Sequence, residues 1–202
     1  MIQTALIALA AYCLGSVSFA ILVSRLMGLP DPRSYGSKNP GATNVLRTGN
    51  RVAAALTLLG DAGKGAFAVG LTVLYTGESA IAGFDAPIAG ALAFLGHLYP
   101  VFHGFKGGKG VATAAGVLLA LNPWLGLATL ATFGIMVAFF RMISLASIIA
   151  ATFSVFYALF LFGEAPIVPT VAAIALLLVW RHRENMARIL RGAEPRLGEK
   201  KT

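Results

Sequence analysis

The sequence contains few charged residues and a single cysteine. Only 12% of its 202 residues are Asp, Glu, Lys or Arg, whereas soluble domains carry about 25%. Hydrophobic residues make up 57% of the chain. This composition indicates an all-α integral membrane protein with little room for a soluble domain. Cys13 has no second cysteine to pair with, and its apolar surroundings indicate simple packing.

The motifs of several common catalytic sites are missing. No His is followed five residues later by Asp, and neither an H-E-x-x-H zinc motif nor a G-x-S-x-G nucleophile motif occurs. The glycine-rich segment HGFKGGKGVAT, residues 103–113, departs from the ATP-binding pattern, because Gly110 follows Lys109 where Ser or Thr is required. The carboxylates are too scattered for a magnesium site. We therefore predict a positive, donor-rich site for one or two phosphates, with no metal and no other cofactor.

Seven apolar segments predict the membrane-spanning helices. The clear stretches are 2–24, 52–75, 86–101, 124–140, 145–162 and 166–180. A shorter stretch, 110–122, completes the set either as a span or as a half-helix packed inside the bundle. We predict a single domain, residues 1–202, of seven transmembrane helices.

The placement of charge predicts the orientation of these helices. With seven spans, 15 of the 16 Lys and Arg residues share one side, and Lys64 lies within the second span. The opposite side carries Glu78, Asp85 and Glu164 and no base. The positive-inside rule then places the N-terminus outside and the C-terminus in the cytoplasm, and the net charge of +8 requires no nucleic acid as a partner. The predicted cytoplasmic segments are the motif loops 28–51 and 102–110 and the tail 181–202.

Three polar stretches on the cytoplasmic side are candidates for a substrate site. The first, 31–50, combines turn residues with hydroxyl, amide and cationic groups. The second, 96–113, contains the glycine loop between aromatic residues. The third, 181–196, places His182, Asn185 and Arg188 on one face of a helix that continues from the last span. The alternatives without a substrate site are a solvated loop for the first stretch, an interfacial turn with snorkelling lysines for the second, and a basic helix end for the third.

One ion pair is expected inside the membrane. Asp61 and Lys64 are three residues apart on the second predicted helix, so they can neutralise each other. Ionisable groups at membrane depth are candidates for function, and a structural pair facing the bundle is the alternative.

The three stretches resemble the signatures of the bacterial acyl-phosphate-dependent glycerol-3-phosphate acyltransferases. The matching residues are GSKNPGATNVLR at 36–47, GH at 96–97, FKGGKGVAT at 105–113, and Arg181, His182, Asn185, Arg188 and GAE at 192–194. They occur in the family's order over nearly the whole chain. Lys38 and Tyr99 depart from the commoner glycine and phenylalanine.

The resemblance implies a seven-helix, multi-pass enzyme of the bacterial inner membrane whose active site faces the cytoplasm. Its partners are acyl phosphate, glycerol 3-phosphate and the lipid bilayer, and its product is lysophosphatidic acid. The implied catalytic residues are Ser37, Lys109, His182 and Asn185. The implied phosphate-binding residues are Thr43, Asn44, Arg47, Lys106, Gly107, Gly108, Gly110 and Ser144, with Ser147 as the alternative match for the last.

The expected mechanism is direct attack of the glycerol hydroxyl on the acyl carbonyl, without an acyl-enzyme. The base is either a substrate phosphate oxygen or His182. Two other classes remain open at this point. A transporter of phosphorylated solutes usually shows two similar halves, and the three motifs are unlike one another. A non-catalytic membrane subunit has no need of three donor-rich motifs on one face.

Overall fold

The computed structural model describes residues 2–77 and 79–198, and within them the chain forms α-helices and short 3₁₀ turns but no strand. Glu78, Glu199, Lys200 and Lys201, which enter the predicted topology and tail, lie outside the described residues. The helices are α1 (Ile2–Gly15), α2 (Phe19–Leu26), α3 (Ala42–Val45), α4 (Arg51–Thr76), α5 (Ser79–Ala82), α6 (Asp85–Leu98), α7 (Val111–Leu121), α8 (Pro123–Phe140), α9 (Ile143–Phe162), α10 (Ile167–Arg181) and α11 (Arg183–Leu190). Two 3₁₀ turns cover Leu46–Thr48 and Val101–His103.

The lengths of the helices identify three or four membrane spans within the described residues. Helices α4, α8 and α9 are each long and apolar enough, and α1 and α2 together form a pair bent by 43°. Helices α7 and α10 are apolar but shorter. The 11 residues of α7 rise about 16 Å, roughly half of the hydrocarbon core. The count of seven spans stays a prediction.

The first predicted span, 2–24, is not one continuous helix. It breaks between Gly15 and Phe19, where α1 ends and α2 begins. The Ser16 hydroxyl donates to the Tyr12 carbonyl at 2.9 Å, a back-bond of the kind that bends helices. The Val17 carbonyl is freed by the break and accepts a 2.6 Å hydrogen bond from Lys64 Nζ on α4. The side chain of Lys64 thus satisfies backbone that the helix leaves unpaired.

Small residues let the helices around the break approach closely. A Cβ on Gly96 of α6 would lie 2.3 Å from the Tyr12 carbonyl oxygen of α1. A Cβ on Gly116 of α7 would lie 1.9 Å from the Ala62 carbonyl oxygen of α4. Such contacts between backbones are typical of helix packing in membranes, and they hold α6 against α1 and α7 against α4.

Large apolar side chains cover the outside of the bundle. Leu74, Phe139 and Phe160 are 80% or more exposed. Phe94 and Leu98 of α6, by contrast, belong to the fully buried core. An outer surface of this kind fits contact with lipid rather than water.

Candidate active site

The glycine loop, residues 107–110, packs tightly against the end of α6. The Gly107 N–H donates to the Leu98 carbonyl at 3.2 Å, and the Gly108 N–H donates to the His97 carbonyl at 3.1 Å. A Cβ on Gly110, whose φ is +81°, would lie 2.2 Å from the Phe94 ring. These glycines are therefore required by packing. Phosphate binding by Gly107 and Gly108 stays a prediction, and in this structure both amides are bonded within the protein.

Arg181, at the end of α10, holds the same loop from its other side. Its Nη2 atom donates to the carbonyls of Gly107 at 2.9 Å and Gly108 at 3.0 Å, and its Nε atom reaches the Gly108 carbonyl at 3.2 Å. The guanidinium also lies 5.7 Å from the centre of the Tyr99 ring. Arg181 belongs to the tail motif but is not among the residues predicted for the site.

A chain of hydrogen bonds links the glycine loop to the tail. Lys109 Nζ donates to Asn185 Oδ1 on α11. Asn185 Nδ2 in turn donates to Glu194 Oε1 at 2.6 Å, and Arg188 Nε donates to Glu194 Oε2 at 2.7 Å. Lys109 and Asn185, both predicted as catalytic, are therefore in direct contact, 76 residues apart in the sequence.

The charges in this chain are tuned by burial. Burial lowers the pKa of Lys109 to about 8, and the nearby Glu194 offsets only part of that effect. Burial opposes ionisation of Glu194, but hydrogen bonds from Asn185 and Arg188 outweigh it and hold the pKa of this carboxyl below its ordinary value. Lys109 therefore loses its proton at a lower pH than an ordinary lysine, whereas Glu194 is an anion at pH 7.

Glu194 is the residue that sequence reasoning missed most clearly. It was counted among scattered carboxylates, yet its side chain is only 7% exposed and its two oxygens bind separate partners. The predicted Ser144 is buried on α9, and its hydroxyl makes no hydrogen bond within the described residues. The only signal for Glu194 was its place in the GAE segment that closes the tail motif.

His182 lies at a break between two helices, which corrects the prediction of one continuing helix. Helix α10 ends at Arg181 and α11 begins at Arg183. His182 is 2% exposed, and its Nδ1 lies 2.8 Å from the Leu178 carbonyl oxygen. Burial lowers the pKa of His182 to about 4, so the ring is neutral at pH 7. Because the carbonyl only accepts, Nδ1 carries the proton.

The loop between α2 and α4 is organised by Asn44. Its Oδ1 accepts from the Ser37 N–H at 3.0 Å, and its Nδ2 donates to the Pro32 carbonyl at 2.7 Å and the Tyr35 carbonyl at 3.2 Å. Asn44 is 2% exposed, and its hydrogen bonds order the loop beside Ser37. Its role in phosphate binding stays a prediction.

The same loop contacts the glycine loop. A Cβ on Gly108 would lie 3.0 Å from the Pro40 carbonyl oxygen. Ser37, Thr43 and Arg47 are exposed on this loop, and Lys106 is exposed beside the glycine loop. All three polar stretches therefore meet around Gly108 and Lys109, with side chains left open to a ligand.

The assembled site offers cations and hydrogen-bond donors. Within residues 2–77 and 79–198, no group of three or more His, Cys, Asp or Glu side chains is placed to hold a metal ion. Lys109, Arg188 and Asn185 lie together, and Arg47 is exposed on the loop between α2 and α4. Such an arrangement suits phosphorylated ligands.

Comparisons with known proteins agree with one another. A family model described as glycerol-3-phosphate acyltransferase matches residues 5–192. A protein of that name from Ralstonia nicotianae is 57% identical over 201 residues, covering 100% of this chain and 97% of the relative. Another of that name from Burkholderia pseudomallei is 56% identical, with 98% of each chain covered.

The fold is also similar to that of a solved structure. PlsY, described as an integral membrane glycerol 3-phosphate acyltransferase, has been solved in a glycerol 3-phosphate form and a lysophosphatidic acid form. The TM-scores are 0.90 and 0.88, with 36% sequence identity and coverage of 97% of this chain and 96% of that chain. The family resemblance read from the motifs is confirmed.

Proposed function

Because this chain belongs to the glycerol-3-phosphate acyltransferase family, we propose that it transfers an acyl group from acyl phosphate to the 1-hydroxyl of glycerol 3-phosphate. The product is lysophosphatidic acid, and inorganic phosphate leaves. The observation that carries this proposal is the contact between Lys109 and Asn185, which joins the glycine loop to the tail beside Arg188. It brings cationic groups and amide donors from distant segments into one place.

The transfer proceeds by direct attack. The glycerol oxygen forms a bond to the acyl carbon, the bond from that carbon to the phosphate oxygen breaks, and the hydroxyl proton passes to a phosphate oxygen. The phosphate is a good leaving group, so no nucleophilic residue is needed. Lys109 and Arg47 neutralise phosphate charge, while Ser37 and Asn185 orient the donor.

The burial of His182 favours a substrate phosphate as the base. With a pKa of about 4, the neutral ring binds a proton weakly at pH 7. A phosphate ester has a second pKa near about 6, closer to the operating pH at which a base works best. The role of His182 is then to hold its neighbours in place through its neutral ring.

The shape of the site favours acyl phosphate over acyl-CoA as the donor. The motif segments are short loops tied to helices, and they provide no separate domain to hold an adenine nucleotide. Acyl phosphate needs only a small anionic site for its head, and its tail can lie against the apolar outer surface. We further propose seven spans in the bacterial inner membrane, with the site facing the cytoplasm, because 15 of 16 basic residues then share one side.

The test supplies glycerol 3-phosphate to the purified protein in detergent and excess EDTA, with either acyl phosphate or acyl-CoA, and measures lysophosphatidic acid. We expect turnover with acyl phosphate alone. A Lys109→Met preparation made in the same way controls for contaminating enzymes. Turnover with acyl-CoA only would refute the proposed donor. Activity that EDTA abolishes and magnesium restores would refute the metal-free mechanism.

A further inference from the structure

A buried polar cluster lies under the glycine loop, outside the residues assigned to the reaction. Lys64 Nζ and Asp61 Oδ1 are 2.9 Å apart, with side chains 1% and 3% exposed. His97 Nδ1 lies 3.5 Å from the same Asp61 oxygen and 3.2 Å from the Thr113 hydroxyl on α7. Charged and polar groups so deep in a bundle are costly to bury, so their persistence calls for a reason.

His97 connects this cluster to both ends of the glycine loop. Its carbonyl accepts the Gly108 N–H at 3.1 Å. Its ring leaves Gly108 no room for a side chain, since a Cβ there would lie 2.2 Å from Nε2. Its Nδ1 faces Thr113, in the first turn of the helix that follows the loop. The ring therefore touches the chain on either side of Lys109.

The cluster itself has no room for a substrate. The crevice between Lys64, His97 and the loop is also lined by Ser16 and Gly107, and it is too narrow to hold a water molecule. Lys64 is further committed to the Val17 carbonyl at the break between α1 and α2. Any influence of the cluster on the reaction must pass through the loop.

We propose that His97, held by Asp61 and Thr113, is a positioning residue that sets the place of Lys109 by fixing Gly108. The inference rests on the proposed function only in taking glycerol 3-phosphate as the ligand that Lys109 helps to bind. The Asp61–Lys64 pair anchors the ring, and the ring anchors the loop that Arg181 holds from the opposite side.

The test measures the Kd for glycerol 3-phosphate, without an acyl donor, and the Tm of each purified variant. We expect His97→Ala to weaken binding by about 10- to 100-fold, the loss expected when the charged contact from Lys109 to the phosphate is lost. Gly108→Ala perturbs the same contact from the loop side and should weaken binding similarly. Gly63→Ala on α4 is the matched control, because a Cβ there meets nothing within 4 Å.

A double-mutant cycle that combines His97→Ala with Lys109→Met distinguishes a positioning role of His97 from a general packing role. If His97 acts through Lys109, His97→Ala has little further effect on Kd once Lys109 is replaced. An equal fold-loss in both backgrounds would overturn the proposal. So would a His97→Ala protein with a lower Tm and an unchanged Kd. A wild-type chain that binds glycerol 3-phosphate but transfers no acyl group refutes the proposed function, and the Kd values still decide this inference.

Discussion

Lys109 in the glycine loop and Lys106 just before it provide the sharpest test of the site. Lys109 and Lys106 have the same chemistry and lie three residues apart, but Lys109 is partly buried against Asn185 and Lys106 is exposed. Replacing each by Met removes the charge and keeps much of the side-chain volume. The family resemblance implies a catalytic role for Lys109 and phosphate binding by Lys106, and the structure adds that the two differ in burial.

The expected loss is larger for Lys109→Met than for Lys106→Met. A lost hydrogen bond from a charged donor costs about 1.5–3 kcal/mol, which is about a 10- to 150-fold loss in kcat/KM for Lys109→Met. An exposed charge is worth at most about 1 kcal/mol, or about fivefold for Lys106→Met. The assay is lysophosphatidic acid formation from acyl phosphate at subsaturating glycerol 3-phosphate. Equal losses in the two variants, with both proteins folded, would refute this reasoning.

Three further results are expected. Lys109 loses its charge as the pH rises through a pKa of about 8, so kcat/KM should fall above that pH. A Lys109→Arg variant that retains activity should show no such fall, since Arg stays charged. A fall of kcat/KM at the same pH in both proteins would assign the titration to another group. Asn44→Ala should lower the free energy of unfolding in detergent by about 1–3 kcal/mol, because it leaves buried backbone groups beside Ser37 without their partner; an unchanged thermal unfolding curve would contradict this. In intact cells, an impermeant thiol reagent should label Glu164→Cys and not Arg191→Cys, and labelling of the latter would overturn the proposed topology.

Much of the fold could be predicted because hydrophobicity and turn chemistry are local properties. Asn122 and Pro123 mark the start of α8: the Asn122 side chain accepts from the Leu125 N–H at 3.0 Å, and Pro123 occupies the first turn. The short predicted segment 110–122 is found as α7. The break after Gly15 could not be predicted in this way. It depends on a close approach to Ala93 of α6 and on the reach of Lys64 to Val17, both distant in the sequence.

The site residues also fall into two groups, those that local sequence patterns reveal and those that only contacts between distant segments reveal. The motif residues were selected from the sequence because charge, glycine and amide groups recur within short stretches. Glu194 could not be predicted as a site residue, because its role depends on contacts with Asn185 and Arg188 that form only when the chain turns back after α11. Arg181 could not be predicted as a site residue because a basic residue at the end of an apolar span is also what membrane topology requires. Its hydrogen bonds to the loop carbonyls are visible only in the three-dimensional structure.

The glycine loop shows how one pattern can have two physical causes. The family resemblance implies that Gly107 and Gly108 bind phosphate, whereas in the structure their amides donate to carbonyl oxygens at the end of α6. The glycines instead let the loop lie flat between α6 and Arg181. Because the loop is fixed on both sides, Lys109 has little conformational freedom even before a ligand binds. Binding therefore costs less conformational entropy. The loop's rigidity and the charge it carries are therefore complementary, and a variant that loosens the loop should weaken binding even though every cation remains.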